Sequence, residues 1–299
     1  EDAVSKKLKD MYTWCTISGL HSVLFAPLAG VLVRVMPPVS AVRILYAVAL
    51  VMMTTKFILL YVYSHETEQG VIRMKETRGT SYFRMLGQYR GVFRQIFRTP
   101  ATLQILTIIV LLNISNIVNS NFTSLFATQQ AGIPEWLIAY FPMVRAVIML
   151  AFIFGLQHRL NRYPIKAPMT VGFGLYIAAV VCFLLSPVVG PGLMAGYVVL
   201  EGFANALVWP RRDSLLVLYV DPHERARITG LLFVLMLAIS SPFGWIAGWL
   251  SAMNRVYPFL LVIVLFLLCA IVLQRSHPMI QNGDGKGTET AEPELVPEV

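Results

Sequence analysis

Two ionisable residues stand inside long apolar runs, where charge is least expected: Arg145 and Glu201. Counted from Pro134 and Pro191, which open their runs, they lie about eleven and ten residues in, or roughly 15 Å at the helical rise of 1.5 Å per residue. Groups of opposite sign at one depth can form an ion pair or share a ligand, and they can equally lock two helices together; a charge in an apolar medium by default faces protein or water. Glu201 belongs to the row Tyr197, Glu201, Asn205 and Trp209, spaced i, i+4, i+8, i+12. That spacing puts polar and aromatic groups on one helix face. The face suits a small organic molecule that is stacked and hydrogen-bonded, or packing against a neighbour. Glu201 is also the side chain that a proton would discharge, releasing Arg145. A third run holds Asn113, Ser115, Asn116, Asn119, Ser120, Asn121, Thr123 and Ser124, of which Asn113, Asn116, Ser120 and Thr123 follow one face. Neutral amides and hydroxyls bind hydroxyl or amide ligands, and they also join helices.

The elements that position these residues are eight apolar runs, approximately 11–34, 41–63, 100–127, 134–156, 166–187, 191–219, 228–250 and 256–274. Each is near the roughly 20 residues a helix needs to cross a hydrocarbon layer of about 30 Å. Barrel strands would be about 10 residues long and alternating. The fold class is therefore all-α, a polytopic integral membrane bundle with eight transmembrane helices. The chain is 57% hydrophobic and 13% charged, which fits that class.

The net charge of +8 does not point to nucleic acid, because the cations are sorted by loop. Apart from Lys56 and Arg145 within spans, every Lys and Arg except Arg34, Arg43 and Arg255 falls on or at the edge of one set of alternate loops. The excess of cations on cytoplasmic loops places both termini in the cytoplasm. Lys56 lies within a span near its inner end and can snorkel to the headgroups. Cys15, Cys182 and Cys269 occur singly in apolar spans and read as small buried hydrophobes. No metal or cofactor spacing occurs, and the chain opens on a polar stretch instead of a cleavable leader.

Residues 64–98 form the long inside loop, where Phe83, Leu86, Tyr89 and Phe93 recur at helical spacing beside Arg90, Arg94 and Arg98. That pattern predicts an amphipathic helix on the anionic inner leaflet. Residues 276–299 are rich in Gly, Glu and Pro and predict a disordered tail. Gly283–Thr288 has too little of a phosphate loop's pattern to count as one. His21, with Ser18 and Ser22, forms a weaker polar face, and Pro27, Pro142 and Pro242 are expected kink points.

The chain also repeats itself. Aligning Gly30 on Gly248 brings Lys7 onto Arg225 and Lys9 onto Arg227, six spans apart. A six-helix period is the mark of carriers built from two related bundles. The loop Gly155-Leu156-Gln157-His158-Arg159-Leu160-Asn161-Arg162 resembles, in degraded form, the G-x-x-x-D-R-x-G-R loop of the major facilitator superfamily. His158 stands in place of its acid and Asn161 in place of its turn glycine. Asp221–Gly230 is similar to the loop before that family's eleventh helix, and Ser64-His65-Glu66-Thr67-Glu68 resembles the end of its sixth.

The resemblance implies that the eight spans correspond to family helices 5–12 over residues 1–275. Residues 1–63 would be the last two helices of an N-terminal bundle, 64–98 a central cytoplasmic loop and 99–275 a C-terminal six-helix bundle. Four helices would then precede this chain, and the piece is not expected to transport alone. The implied function is a secondary active transporter, a permease moving a small solute by alternating access with possible proton coupling at Glu201. It would be a multi-pass protein of the plasma (inner) membrane, monomeric at full length, with the lipid bilayer, a small-molecule substrate and a coupling proton as partners. The second reading is a receptor or sensor on a transporter fold; no enzyme motif or cofactor is expected. By the same resemblance, spans three, four and six line the cavity. A cytoplasmic gate would comprise His158, Arg159, Arg162, Arg211, Arg212, Asp213, Glu224 and Arg225, with ordinary positive-inside anchoring as the other explanation. The aromatic stripe suits an amphipathic efflux substrate, and the asparagines a polar metabolite.

Overall fold

The computed structural model describes residues 17, 20, 22–64, 100–156, 160, 165–218 and 225–275, and every regular element among them is an α-helix. In chain order these are α1 (Ser22–Val35), α2 (Pro38–Tyr63), α3 (Pro100–Gln129), α4 (Glu135–Ile138), α5 (Phe141–Gly155), α6 (Lys166–Val189), α7 (Pro191–Leu218), α8 (Arg225–Met253) and α9 (Tyr257–Gln274). Among the described residues, seven segments are by length and composition able to cross a membrane, α4 and α5 together making one of them. The first expected span is described continuously only from Ser22, as the shorter apolar helix α1. The predicted amphipathic helix of 64–98, the tail beyond Arg275, and Cys15, Ser18 and His21 lie outside the described residues.

The fourth expected span is interrupted, which its apolar pattern does not reveal. α4 ends at Ile138, and α5 begins at Phe141 with Pro142 in its first turn. Pro142 has no amide hydrogen for the carbonyl of Ile138, so the backbone ladder cannot run through this point. The amide of Tyr140 instead bonds the Leu137 carbonyl at 3.1 Å, a tighter turn. Of the other expected kink points, Pro27 lies within α1 and Pro242 within α8.

α6 and α7 form the most intimate hairpin, joined by Gly190 alone. Its φ of 125° is open to glycine and strained for any residue with a Cβ. Gly172 lets the two helices approach: a Cβ there would stand 2.5 Å from Val208 Cγ2 and 3.2 Å from Leu207 Cβ. Small residues at such crossings matter because lipid tails are as apolar as side chains, leaving close packing as a principal attraction. Gly172→Ala is expected to cost about 1–2 kcal/mol through overpacking. Val208→Ala should restore most of it; thermal unfolding in detergent of the single and double variants checks this.

α7 packs on α5 at its other side, α6 packs on α9, and α3 lies against both α8 and α9. The start of α6 and the end of α9 meet where Lys166 Nζ donates to the Gln274 carbonyl at 2.9 Å. Four successive crossings would return the chain to the side it left, which this contact satisfies. Near the opposite end of α6, Phe183 meets Phe126 of α3 at 4.7 Å, Phe259 of α9 at 4.9 Å and Tyr197 of α7 at 4.5 Å between ring centroids. At the end of α1, Arg34 lies over the Trp136 ring at 5.4 Å. Gly30 gives room there to the Tyr140 ring. α2 exposes large apolar side chains along its whole length, from Val39 to Tyr63.

Candidate functional site

α3, α5 and α7 converge on Glu201. Its Oε2 lies 3.2 Å from Arg145 Nε, and the side chains are 4% and 28% exposed respectively. Neither atom makes a hydrogen bond of acceptable direction, so the contact is a coulombic pair without an aligned bond. The other oxygen, Oε1, accepts from Asn119 Nδ2 at 2.5 Å. Asn119 is held in turn: Thr123 Oγ1 donates to its carbonyl at 2.6 Å and approaches its Oδ1 at 3.0 Å. Tyr197 Oη lies within 3.4 Å of both Asn119 and Thr123. The approach of α5 to α7 depends on Gly202, where a Cβ would stand 3.1 Å from Ile148.

A second tier lies farther along α7. Tyr176 of α6 donates from Oη to Asn205 Oδ1 at 2.7 Å and accepts from Trp209 Nε1 at 3.0 Å. Asn205 Nδ2 bonds the Glu201 carbonyl at 2.8 Å, tying the tiers together. The Tyr176 ring stacks on Phe266 of α9, 4.4 Å away and tilted by 8°. Beyond it, the Arg212 guanidinium lies 4.1 Å over the Trp209 ring, a cation–π contact. Arg212 Nε donates to Asp213 Oδ1 at 2.8 Å.

The structure thus joins Arg145, Tyr197, Glu201 and Thr123 in one cluster, with Asn205 and Trp209 in the tier below. The row drawn along α3 does not arrive as a unit. Asn116 and Ser120 are exposed, and Asn113 is half-buried with its amide nitrogen unpartnered among the described residues. The α3 residue that reaches Glu201 is Asn119, outside that row, and Tyr176 was not marked by the sequence. The i, i+4 pair Asn119–Thr123 was a signal for the first; a tyrosine alone in an apolar run gave none for the second.

Of the expected gate, His158, Arg159, Arg162 and Glu224 lie outside the described residues, and Arg225 begins α8. Arg211 is buried and donates from Nη1 to the Leu207 carbonyl at 2.9 Å. Arg212 and Asp213 pair with each other. Lys56 is exposed, 4.9 Å from its neighbouring Phe57 ring. Cys269 is buried and Cys182 half-buried. No group of three His, Cys, Asp or Glu able to hold a metal occurs among the described residues.

A buried acid paired with a half-buried cation, carried by apolar helices and edged with amides and phenols, can bind a polar solute or exchange a proton. Comparison with curated proteins and with solved structures found no match. The family model described as Major Facilitator Superfamily matches residues 13–244, most of the chain and every residue of the Glu201 cluster. With its succession of long apolar helices, this chain is a multi-pass membrane protein belonging to the Major Facilitator Superfamily, a family of transporters.

Proposed function

We propose that this protein is a secondary active permease that moves a small solute by alternating access, with Glu201 as the proton-coupling residue. The observation that carries this reading is the Arg145–Glu201 pair between α5 and α7, a buried acid beside a half-buried cation where apolar helices have no structural need of charge. A proton on Glu201 removes its charge and frees Arg145, so the site has two electrostatic states that could favour different access conformations. The arrangement remains that of the resemblance: residues 1–63 in one bundle, 99–275 in the other, 64–98 between them on the cytoplasmic side. Both termini are cytoplasmic, in the plasma (inner) membrane, and the working unit is a monomer in the lipid bilayer with solute and proton as partners. The charged residues around Arg212 and Arg225 form the cytoplasmic gate, and Asn113, Asn116 and Ser120 line the cavity on its α3 side.

The test is solute flux in proteoliposomes containing the protein made from its whole reading frame. Glu201→Gln is expected to lose proton-driven accumulation while retaining exchange of solute across the membrane. Flux through Glu201→Gln with the wild-type pH dependence would remove Glu201 from coupling. Ligand binding with no flux of any solute would favour a sensor.

A further inference from the structure

The two members of the pair are unequally placed. Glu201 is 3% exposed, and its two oxygens are engaged by Asn119 and Arg145. Arg145 has 28% of its side chain open. Its guanidinium carries five donors, and Nε, the nitrogen nearest the acid, makes no aligned hydrogen bond among the described residues. A solute approaching this site therefore meets the cation first. The carboxylate lies behind it, with Oε1 accepting from Asn119 and Oε2 held against the cation by charge alone. Nearby on α3, Asn116 and Ser120 flank Asn119 in sequence and are exposed, which adds neutral polar groups to the same helix.

From this asymmetry we infer that the transported solute is a monoanion, its carboxylate or similar group docking on the free edge of Arg145 while Glu201 takes up one proton. The inference rests on the transport reading above and names its substrate class. Charge conservation in the apolar interior supports it. The empty site holds one positive and one negative charge. Adding an anion to that pair would leave a net buried charge, which is costly. If Glu201 accepts a proton from the same aqueous side, the anion replaces its carboxylate as the counter-charge of Arg145, and the total stays at zero. On the other side the anion and the proton leave together, and the original pair re-forms. Among the described residues, the remaining titratable groups that interact with Glu201 are the phenols Tyr197, on its own helix, and Tyr176 from α6; α3 contributes the neutral Asn119. A planar guanidinium suits the task because it can present two parallel donors to a carboxylate.

The test measures thermal unfolding of the whole protein in detergent with acetate, lactate, benzoate and nicotinate, each beside its own primary amide. At least one acid should raise the unfolding midpoint, more strongly at lower pH, while its amide does not. Arg145→Gln should weaken that acid by about 10- to 100-fold, the worth of a charged hydrogen bond. Arg145→Lys should keep part of the response. No response to any acid, an equal response to the matched amide, or an Arg145→Gln protein responding like the wild type overturns the inference. If Arg145→Gln does not fold, the acid-against-amide comparison on the unaltered protein decides alone. Failure here is distinct from failure of the transport reading: flux of neutral or cationic solutes sinks only the anion assignment, whereas absence of any flux sinks transport itself.

Discussion

Glu201→Ala is expected to lower the unfolding free energy by roughly 2–4 kcal/mol, the largest loss of any single change at the site. The cost comes from the partner left behind. Arg145 would keep its charge between α5 and α7 with no acceptor near Nε, and Asn119 would lose the oxygen 2.5 Å from its amide. The lower part of that range reflects the solvent reach of Arg145, which is 28% exposed and able to draw some hydration. Replacing both charges, Arg145→Met with Glu201→Leu, should recover most of the stability, because apolar side chains of similar volume remove the desolvation problem. The same double variant separates two roles for the pair. A helix lock would leave transport intact once stability returns, whereas a solute and proton site would leave a stable protein without flux. The expected outcome is a stable, inactive double variant, measured by thermal unfolding and by counterflow in proteoliposomes.

The second large effect lies in the aromatic cluster. Phe183→Ala is expected to cost about 2–3 kcal/mol, taking a residual void of roughly 100 Å³ at about 24 cal/mol per Å³. The transfer contribution that would raise this figure in a water-soluble protein is omitted, because a lipid interior is itself apolar. Phe183 is fully buried and touches rings from α3, α7 and α9, so the void opens where four helices meet. Tyr197 loses the ring that fixes its position beside Asn119 and Thr123, so solute affinity should fall with stability. Phe183→Leu, which fills part of the space, should fall between the wild type and alanine in both measurements.

The Arg145–Glu201 contact is legible in the sequence because two prolines mark where their runs begin, and the helical rise converts sequence distance into depth. The choice of face was harder to read. α3 carries so many small polar residues that several rows can be drawn along it, and only the packing of α3 on its neighbours selects Asn119 over Asn116 and Ser120. Tyr176 was invisible for the opposite reason: periodicity needs a second polar residue, and the partners of Tyr176, Asn205 and Trp209, are on another helix. The break at Ala139–Tyr140 left no mark in the apolar pattern; its signal was Pro142, an expected kink point that proves to open a new helix, since proline is tolerated in a first turn. Long apolar segments state their own existence, while the residue pairs that join them depend on rotations no single segment encodes.

The one-residue connection at Gly190 has a mechanical corollary. A link so short gives α6 and α7 almost no independent travel, so the acid on one helix and the stacked phenol on the other must swing as a single lever. On the proposed transport reading, a change of shape within this bundle at Glu201 then falls to the helices that bring Asn119 and Arg145 to it, α3 and α5. Of these, α5 sits beside the interrupted backbone at Ala139–Tyr140, which on that reading makes it the hinged panel and Arg145 the charge that moves.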